Sequence, residues 1–351
     1  MHSPETSHME NKIVETLASL PFVSEFLLGY IRPPLTPTIP LENFRGGQLR
    51  KLVIDGSFRV APPEHDFLDS LSEMLFHNPR ISHLELNLHD LTLPSPFQFS
   101  DLFRTRPLPH ILSVQTLILD GWSFDLTPDV LVHLQYLRRL SLFSGVTIEP
   151  ECWSNLKKDG VFLRHIHICQ LDDEVLDYLE SFSGLETLSF NQSFNLGTGT
   201  EQSRALAQRF YERVLPRHED SLRELRVQPY TDAHEWGTGL NNVGFLGGLK
   251  QLEVLEISPR VLHEDQAPEN RQLMDTLIGL ALDLPILQTL HLGQSTVCCR
   301  KHLAGMLAET KLPRPCRVPL GRLKIVALPI STVWYIPTAT EAGMVLPLNS
   351  D

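Results

Sequence analysis

Residues 137–142 read LRRLSL, residues 185–190 read LETLSF and residues 287–292 read LQTLHL. Each is one hexad: apolar, polar, any, apolar, any, apolar. Side chains alternate faces along a strand, so the fourth and sixth residues point one way and the third and fifth the other. The hexad returns at Leu49–Ile54 (LRKLVI), Ile81–Leu86 (ISHLEL), Val114–Leu119 (VQTLIL) and Leu163–Ile168 (LRHIHI). Leu222–Val227 (LRELRV) and Leu252–Ile257 (LEVLEI) follow, Leu323–Leu328 (LKIVAL) reads as a last copy, and Val23–Leu28 (VSEFLL) as a degenerate first. Three apolar positions alone are weak evidence. What makes the pattern specific is the second position, which is never apolar in any of these copies, and a spacing between copies of about 22 to 37 residues.

The segments between copies have a helical period. Asp66–Leu75, Asp173–Phe182, Arg204–Leu215, Arg271–Leu284 and Lys301–Leu307 carry apolar residues at helical spacing, and Thr127-Pro128 supplies a capping residue followed by proline at the first helical position. Each unit therefore reads strand, loop, helix, and neither half can bury its apolar face alone. Stacking the units solves this by joining the inward hexad positions and the helix stripes into one continuous core. The fold expected is an α/β leucine-rich-repeat solenoid, a horseshoe of about ten irregular repeats with a parallel concave sheet and convex helices. It occupies residues 21–330, with a polar segment and capping helix over 1–20 and a tail or cap over 331–351.

Composition narrows the function. The chain has 351 residues and a formal net charge of −12, which argues against a nucleic-acid partner because phosphate binding needs clustered Lys and Arg. The most apolar stretch, Leu273–Leu292, is broken by Asp275, Asp283 and Pro285, so no membrane span is expected. Residues 1–10 have no apolar signal-peptide core, and five cysteines, an odd number, fit a reduced compartment. The expectation is a monomer of the cytoplasm or nucleus.

The phrases VQTLILDGWSF, LRRLSLFSG, LETLSF and LRELRV, with their irregular spacing, resemble the ribonuclease-inhibitor-like repeats of fungal F-box leucine-rich-repeat proteins. The resemblance spans residues from about 20 to 330. It implies a substrate receptor of an SCF-type ubiquitin ligase, whose repeats hold a protein and whose F-box engages a cullin-ligase adaptor. This sequence departs from that pattern at residues 10–31, where a helix and Leu20-Pro21 stand in the wrong order for an F-box. The alternatives are a truncated product of that family without ligase recruitment, and an α/β enzyme.

A partner is expected on the concave floor, at the third, fifth and seventh positions of each copy. The residues singled out are His83, Glu85, Ile118, Asp120, Arg139, Phe143, His165, His167, Glu224 and Arg226. Ile118 and Phe143 are apolar where water is expected, which marks hot-spot candidates. Three long loops, His89–Ser100, Asn191–Thr200 and Pro229–Gly244, are placed on one rim, the last bringing Tyr230 and Trp236 to the partner.

No catalytic, cofactor or metal assignment survives. His165, His167 and Cys169 share a strand face, but same-face neighbours stand about 6.6–7 Å apart, too far to converge readily on one zinc without a fourth ligand. Cys298-Cys299 reads as a structural pair, Gly197-Thr198-Gly199 and Gly237-Thr238-Gly239 lack phosphate-loop continuations, and Asp172-Asp173 reads as charge at a helix N-terminus.

Overall fold

The computed structural model describes residues 12, 16, 17, 20, 22–30, 41–57, 64–89, 97–104, 108, 110–143, 146–191, 200–228, 235–259, 267–293, 324–327, 332–335 and 346–348. They form two compact units, Met1–Leu163 and Arg164–Asp351.

In the N-terminal unit the hexads become strands β1 (Glu25–Tyr30), β2 (Lys51–Ser57) and β3 (His83–His89). After β4 (Phe97–Gln98) come β5 (Thr116–Asp120), β6 (Trp122–Phe124), β7 (Arg139–Leu142) and β8 (Thr147–Ile148). Strands β1, β2, β3, β5 and β7 pair in that order, all parallel, and β4, β6 and β8 make a small second parallel sheet. The register equates the third residue of every hexad: Glu25 with Lys51, Lys51 with His83, His83 with Thr116 and Thr116 with Arg139. Val23–Leu28 is therefore the first copy. Gly121 makes the sharp step from β5 to β6 at φ 76°, where a Cβ would come within 2.2 Å of the Leu88 carbonyl oxygen. Only glycine fits both constraints.

The C-terminal unit continues with β9 (His165–Ile168), β10 (Thr187–Phe190), β11 (Glu224–Val227), β12 (Val254–Ile257), β13 (Thr289–Leu292) and β14 (Lys324–Ala327), again parallel and in order. Then β15 (Thr332–Tyr335) and β16 (Leu346–Leu348) turn antiparallel. The last hexad sits one residue away from the expected register. Lys324, not Ile325, lies opposite Thr289, and the Lys324 amide donates to the Gln288 carbonyl as third residues do elsewhere. A one-residue slip exchanges faces, so Ile325 is the buried fourth residue.

From Leu49–Ile54 to Leu287–Leu292 the first, fourth and sixth residues of each hexad are buried. Each such side chain contributes roughly 1.5–3 kcal/mol over its exposed state. Opposite them lie the helices Glu64–His77, Pro128–Leu134, Cys152–Lys158, Asp173–Glu180, Thr200–Arg209 and Ala267–Asp283. The helix Thr200–Arg209 runs on through a π-helical turn, Phe210–Val214, into Leu215–Arg217. Asp172 caps its helix, accepting from the Val175 amide at 2.9 Å. Thr127 occupies the N-cap before Pro128, but its hydroxyl makes no capping bond. Residues Lys301–Leu307 and Cys298-Cys299 lie outside the described residues. In both units this is the leucine-rich-repeat solenoid arrangement of parallel hexad strands and returning helices.

One device was missed in the sequence. A polar side chain three or four residues ahead of a hexad reaches back to the backbone of the preceding repeat. Asn78 accepts from the Leu49 amide at 3.3 Å, His133 Nδ1 from the Leu112 amide at 3.3 Å and His218 Nδ1 from the Leu185 amide at 3.4 Å. These satisfy buried amides that strand pairing leaves over.

Candidate floor sites in the two units

Parallel pairing aligns third with third and fifth with fifth residues, so side chains of neighbouring copies stand about 4.8 Å apart in rows across the face opposite the helices. This face holds most of the residues singled out above. In the N-terminal unit His83 Nε2 lies 3.3 Å from Glu85 Oε2, and Asn87 Nδ2 donates to Glu85 Oε1 at 2.8 Å. Ile118 and Asp120 are half-buried on the adjoining strand, while Arg139 and Phe143 are exposed on β7 and just after it. Leu27, the fifth residue of the degenerate first hexad, is 62% exposed and was not among the residues singled out.

In the C-terminal unit Glu224 and Arg226 belong to a network that includes a residue not singled out. Arg226 Nε donates to Glu224, and its Nη1 donates to Glu256 Oε2 at 2.9 Å. Gln228 donates to the other oxygen of Glu256. Glu256 is a floor residue by register, yet it is 1% exposed, because Arg226 and Gln228 close over it. A carboxylate so buried is tolerated only when paired and hydrogen-bonded. Burial opposes the charge on Arg226, but its bonds to Glu224 and Glu256 outweigh this and raise its pKa.

Two imidazoles share this surroundings. Burial, and then the positive Arg226, hold His167 below its ordinary range against a smaller upward pull from Glu224. His291 is lowered in the same direction, chiefly by burial. His165 Nδ1 meets Thr187 Oγ1 at 3.0 Å on the next strand and lies within 4.0 Å of Glu186. His165 thus contacts the next strand, and among the described residues no group of three His, Cys, Asp or Glu could hold a metal.

The rim expectation fails for Trp236. It is 0% exposed, packed with ring centroids 5.3 Å from Phe190 and 5.9 Å from Phe210, and its Nε1 donates to Ser203 Oγ at 3.1 Å. The Tyr211 hydroxyl donates to its carbonyl at 3.1 Å. Trp236 turns inward because an indole contributes more as buried area than as a rim contact, provided its N–H finds a partner. After Trp236 comes a short helix, Val243–Leu246, and in the turn ahead of it Asn242 Oδ1 accepts from the Gly239 amide at 2.8 Å. Tyr230 lies outside the described residues.

No family model and no curated protein matches the chain. Among solved structures it is similar to an internalin from Listeria monocytogenes, 14% identical, with 82% of this chain and 88% of that one covered and a TM-score of 0.35. It is also similar to a leucine-rich-repeat protein of Leptospira interrogans, 16% identical, covering 91% and 82%, with a TM-score of 0.39. Among the described residues no helix is long and apolar enough to cross a membrane.

Proposed function

We propose that this chain is a protein-binding scaffold whose partner lies across the floor positions of the hexads. The observation that carries the reading is the Glu224–Arg226–Glu256–Gln228 network. It fixes polar side chains on the two adjacent strands β11 and β12 and at the residue just beyond β11 before any partner arrives. Groups ordered in advance lose less entropy on binding, and so convert contacts into affinity efficiently. His83, Glu85, Ile118, Asp120, Arg139, Phe143, His165 and His167 supply the remaining contact residues in their respective units. Cys152 is a buried free thiol, in keeping with work in the cytoplasm or nucleus.

The test is affinity capture by the full chain and by variants with reversed charge at exposed or half-exposed floor positions, Glu85→Lys and Arg139→Glu. Glu201→Lys, on the helix Thr200–Arg209, serves as control. A partner lost with the floor variants and retained by the control is expected. Equal retention by all three overturns the floor as the binding face.

The finer reading, a substrate receptor of an SCF-type ubiquitin ligase, is supported by the resemblance of the repeat phrases to fungal F-box proteins. It requires a second partner, a cullin-ligase adaptor. Co-purification of that adaptor with the full chain tests it, and its absence from a capture that retains other partners returns the reading to a plain scaffold.

A further inference from the structure

The second residue of each hexad forms a row of its own along the edge where the strands begin. Its carbonyl accepts from both the second and third amides of the next copy, as Arg50 does from Ser82 and His83 and Arg164 does from Glu186 and Thr187. Second side chains of neighbouring copies therefore stand one strand, about 4.8 Å, apart. In the C-terminal unit this row neutralises itself. Arg164 Nη1 donates to Glu186 Oε1 at 2.9 Å and Arg223 Nη1 to Glu253 Oε1 at 3.0 Å.

In the N-terminal unit the same row reads Ser24, Arg50, Ser82, Gln115, Arg138. Neither arginine has a carboxylate as its neighbour in the row. Both are exposed, and among the described residues neither makes an ion pair. Arg80, just ahead of the hexad at 81–86, and Arg139, one residue beyond Arg138, are exposed and unpaired in the same way. Glu25 stands opposite Lys51 in the strand register, not opposite Arg50. A run of unmatched arginines in a chain of formal net charge −12 is a departure from its own balance. It also contrasts with the repeat geometry that places a carboxylate beside Arg164 and Arg223.

We propose that this edge of the N-terminal unit binds an acidic, extended peptide segment of the protein partner, with Arg50 and Arg138 as its two anchors. This rests on the scaffold reading and names the chemistry of what is bound. The planar guanidinium matches a carboxylate in bidentate fashion, which favours Glu or Asp side chains over neutral ones. A nucleic acid fits less well, because its closely spaced phosphates call for a denser cluster of Lys and Arg than two anchors three strand steps apart provide. From β2 to β7 is three strand steps, about 14 Å, and an extended chain advances about 3.4 Å per residue. The acids of the bound segment therefore recur about four residues apart.

The test uses the full chain and fluorescein-labelled peptides of about a dozen residues, with Glu or Lys at every fourth position in a Gly/Ser background. Fluorescence anisotropy should show binding of the Glu peptide alone, weakened by added salt. Arg50→Glu with Arg138→Glu should lower that affinity at least about tenfold. Arg223→Gln, in the self-neutralised row, should change it less than about twofold. The milder pair Arg50→Gln with Arg138→Gln keeps the test usable if the reversed pair fails to give the parental far-UV circular dichroism spectrum. Absence of Glu-peptide binding, an equal loss in Arg223→Gln, or binding of a single-stranded RNA oligonucleotide in place of the peptide overturns the inference. A partner captured through the floor that holds the Arg50/Arg138 variant as tightly as the parent also overturns it, while leaving the scaffold reading intact.

Discussion

His218 ties two repeats of the C-terminal unit together and makes that tie depend on pH. Its Nδ1 accepts from the Leu185 amide at 3.4 Å and its Nε2–H donates to the Leu179 carbonyl at 3.1 Å, so the ring must be neutral with the proton on Nε2. A proton on Nδ1 would face the Leu185 amide donor to donor. Burial is the main cause that pushes the pKa from its ordinary 6.5 to about 4; the Leu179 bond pulls upward and Arg217 downward. Because the folded value lies below the unfolded one, the unfolded chain binds more protons between pH 6.5 and 4. Stability is then fully present above 6.5 and falls as pH drops through that window. A gap of about 2.5 pH units at 1.36 kcal/mol each gives a ceiling of about 3 kcal/mol, of which about 2 kcal/mol is lost between pH 7 and pH 5. The perturbation is His218→Asn, which removes the titration and offers an amide oxygen to Leu185, as Asn78 does to Leu49. Urea unfolding followed by far-UV circular dichroism at both pH values supplies the comparison. His77, His110, His133, His167 and His291, all lowered too, are common to both proteins and cancel. The parent should lose about 2 kcal/mol more than the variant on acidification. Equal losses would refute the reasoning.

Three further outcomes are expected. Trp236→Ala removes a fully buried indole and leaves Ser203 without its donor, costing about 3–5 kcal/mol by denaturant midpoint; a loss below about 1 kcal/mol would place the side chain back on the rim. Gly121→Ala meets both a positive φ and the Leu88 carbonyl, so it should destabilise the N-terminal unit by at least about 2 kcal/mol, read as earlier local hydrogen exchange in β5 and β6. Arg226→Met strands the buried Glu256 carboxylate and should cost about 3 kcal/mol, most of it restored by adding Glu256→Gln; additive effects in the double-mutant cycle would deny the coupling.

The strands were legible because the hexad couples a period of two to a polar second residue. Every copy from Leu49 to Leu292 fell into the register its leucines imply. The last copy did not. Residues 323–328 are apolar at alternative offsets, and only pairing with β13 chooses between them by placing Ile325, not Val326, opposite Leu290. The floor positions were equally readable, since they follow from the same alternation. Their interactions were not: Glu256 looks like any polar floor residue until β11 brings Arg226 and Gln228 over it.

By itself, then, the order of residues in this protein determined the repeat, the faces of the strands and the helices that return between them, because those depend on local periodicity. Whether a polar or aromatic residue off that period faces water was decided by the tertiary structure. Trp236 went inward when Ser203, Phe190 and Phe210 offered it a partner and a packing surface. Arg50 and Arg138 stayed unmatched because their neighbours in the row are Ser24, Ser82 and Gln115. Those neighbours lie 23 to 32 residues away along the chain, and only the stacking of repeats brings them side by side.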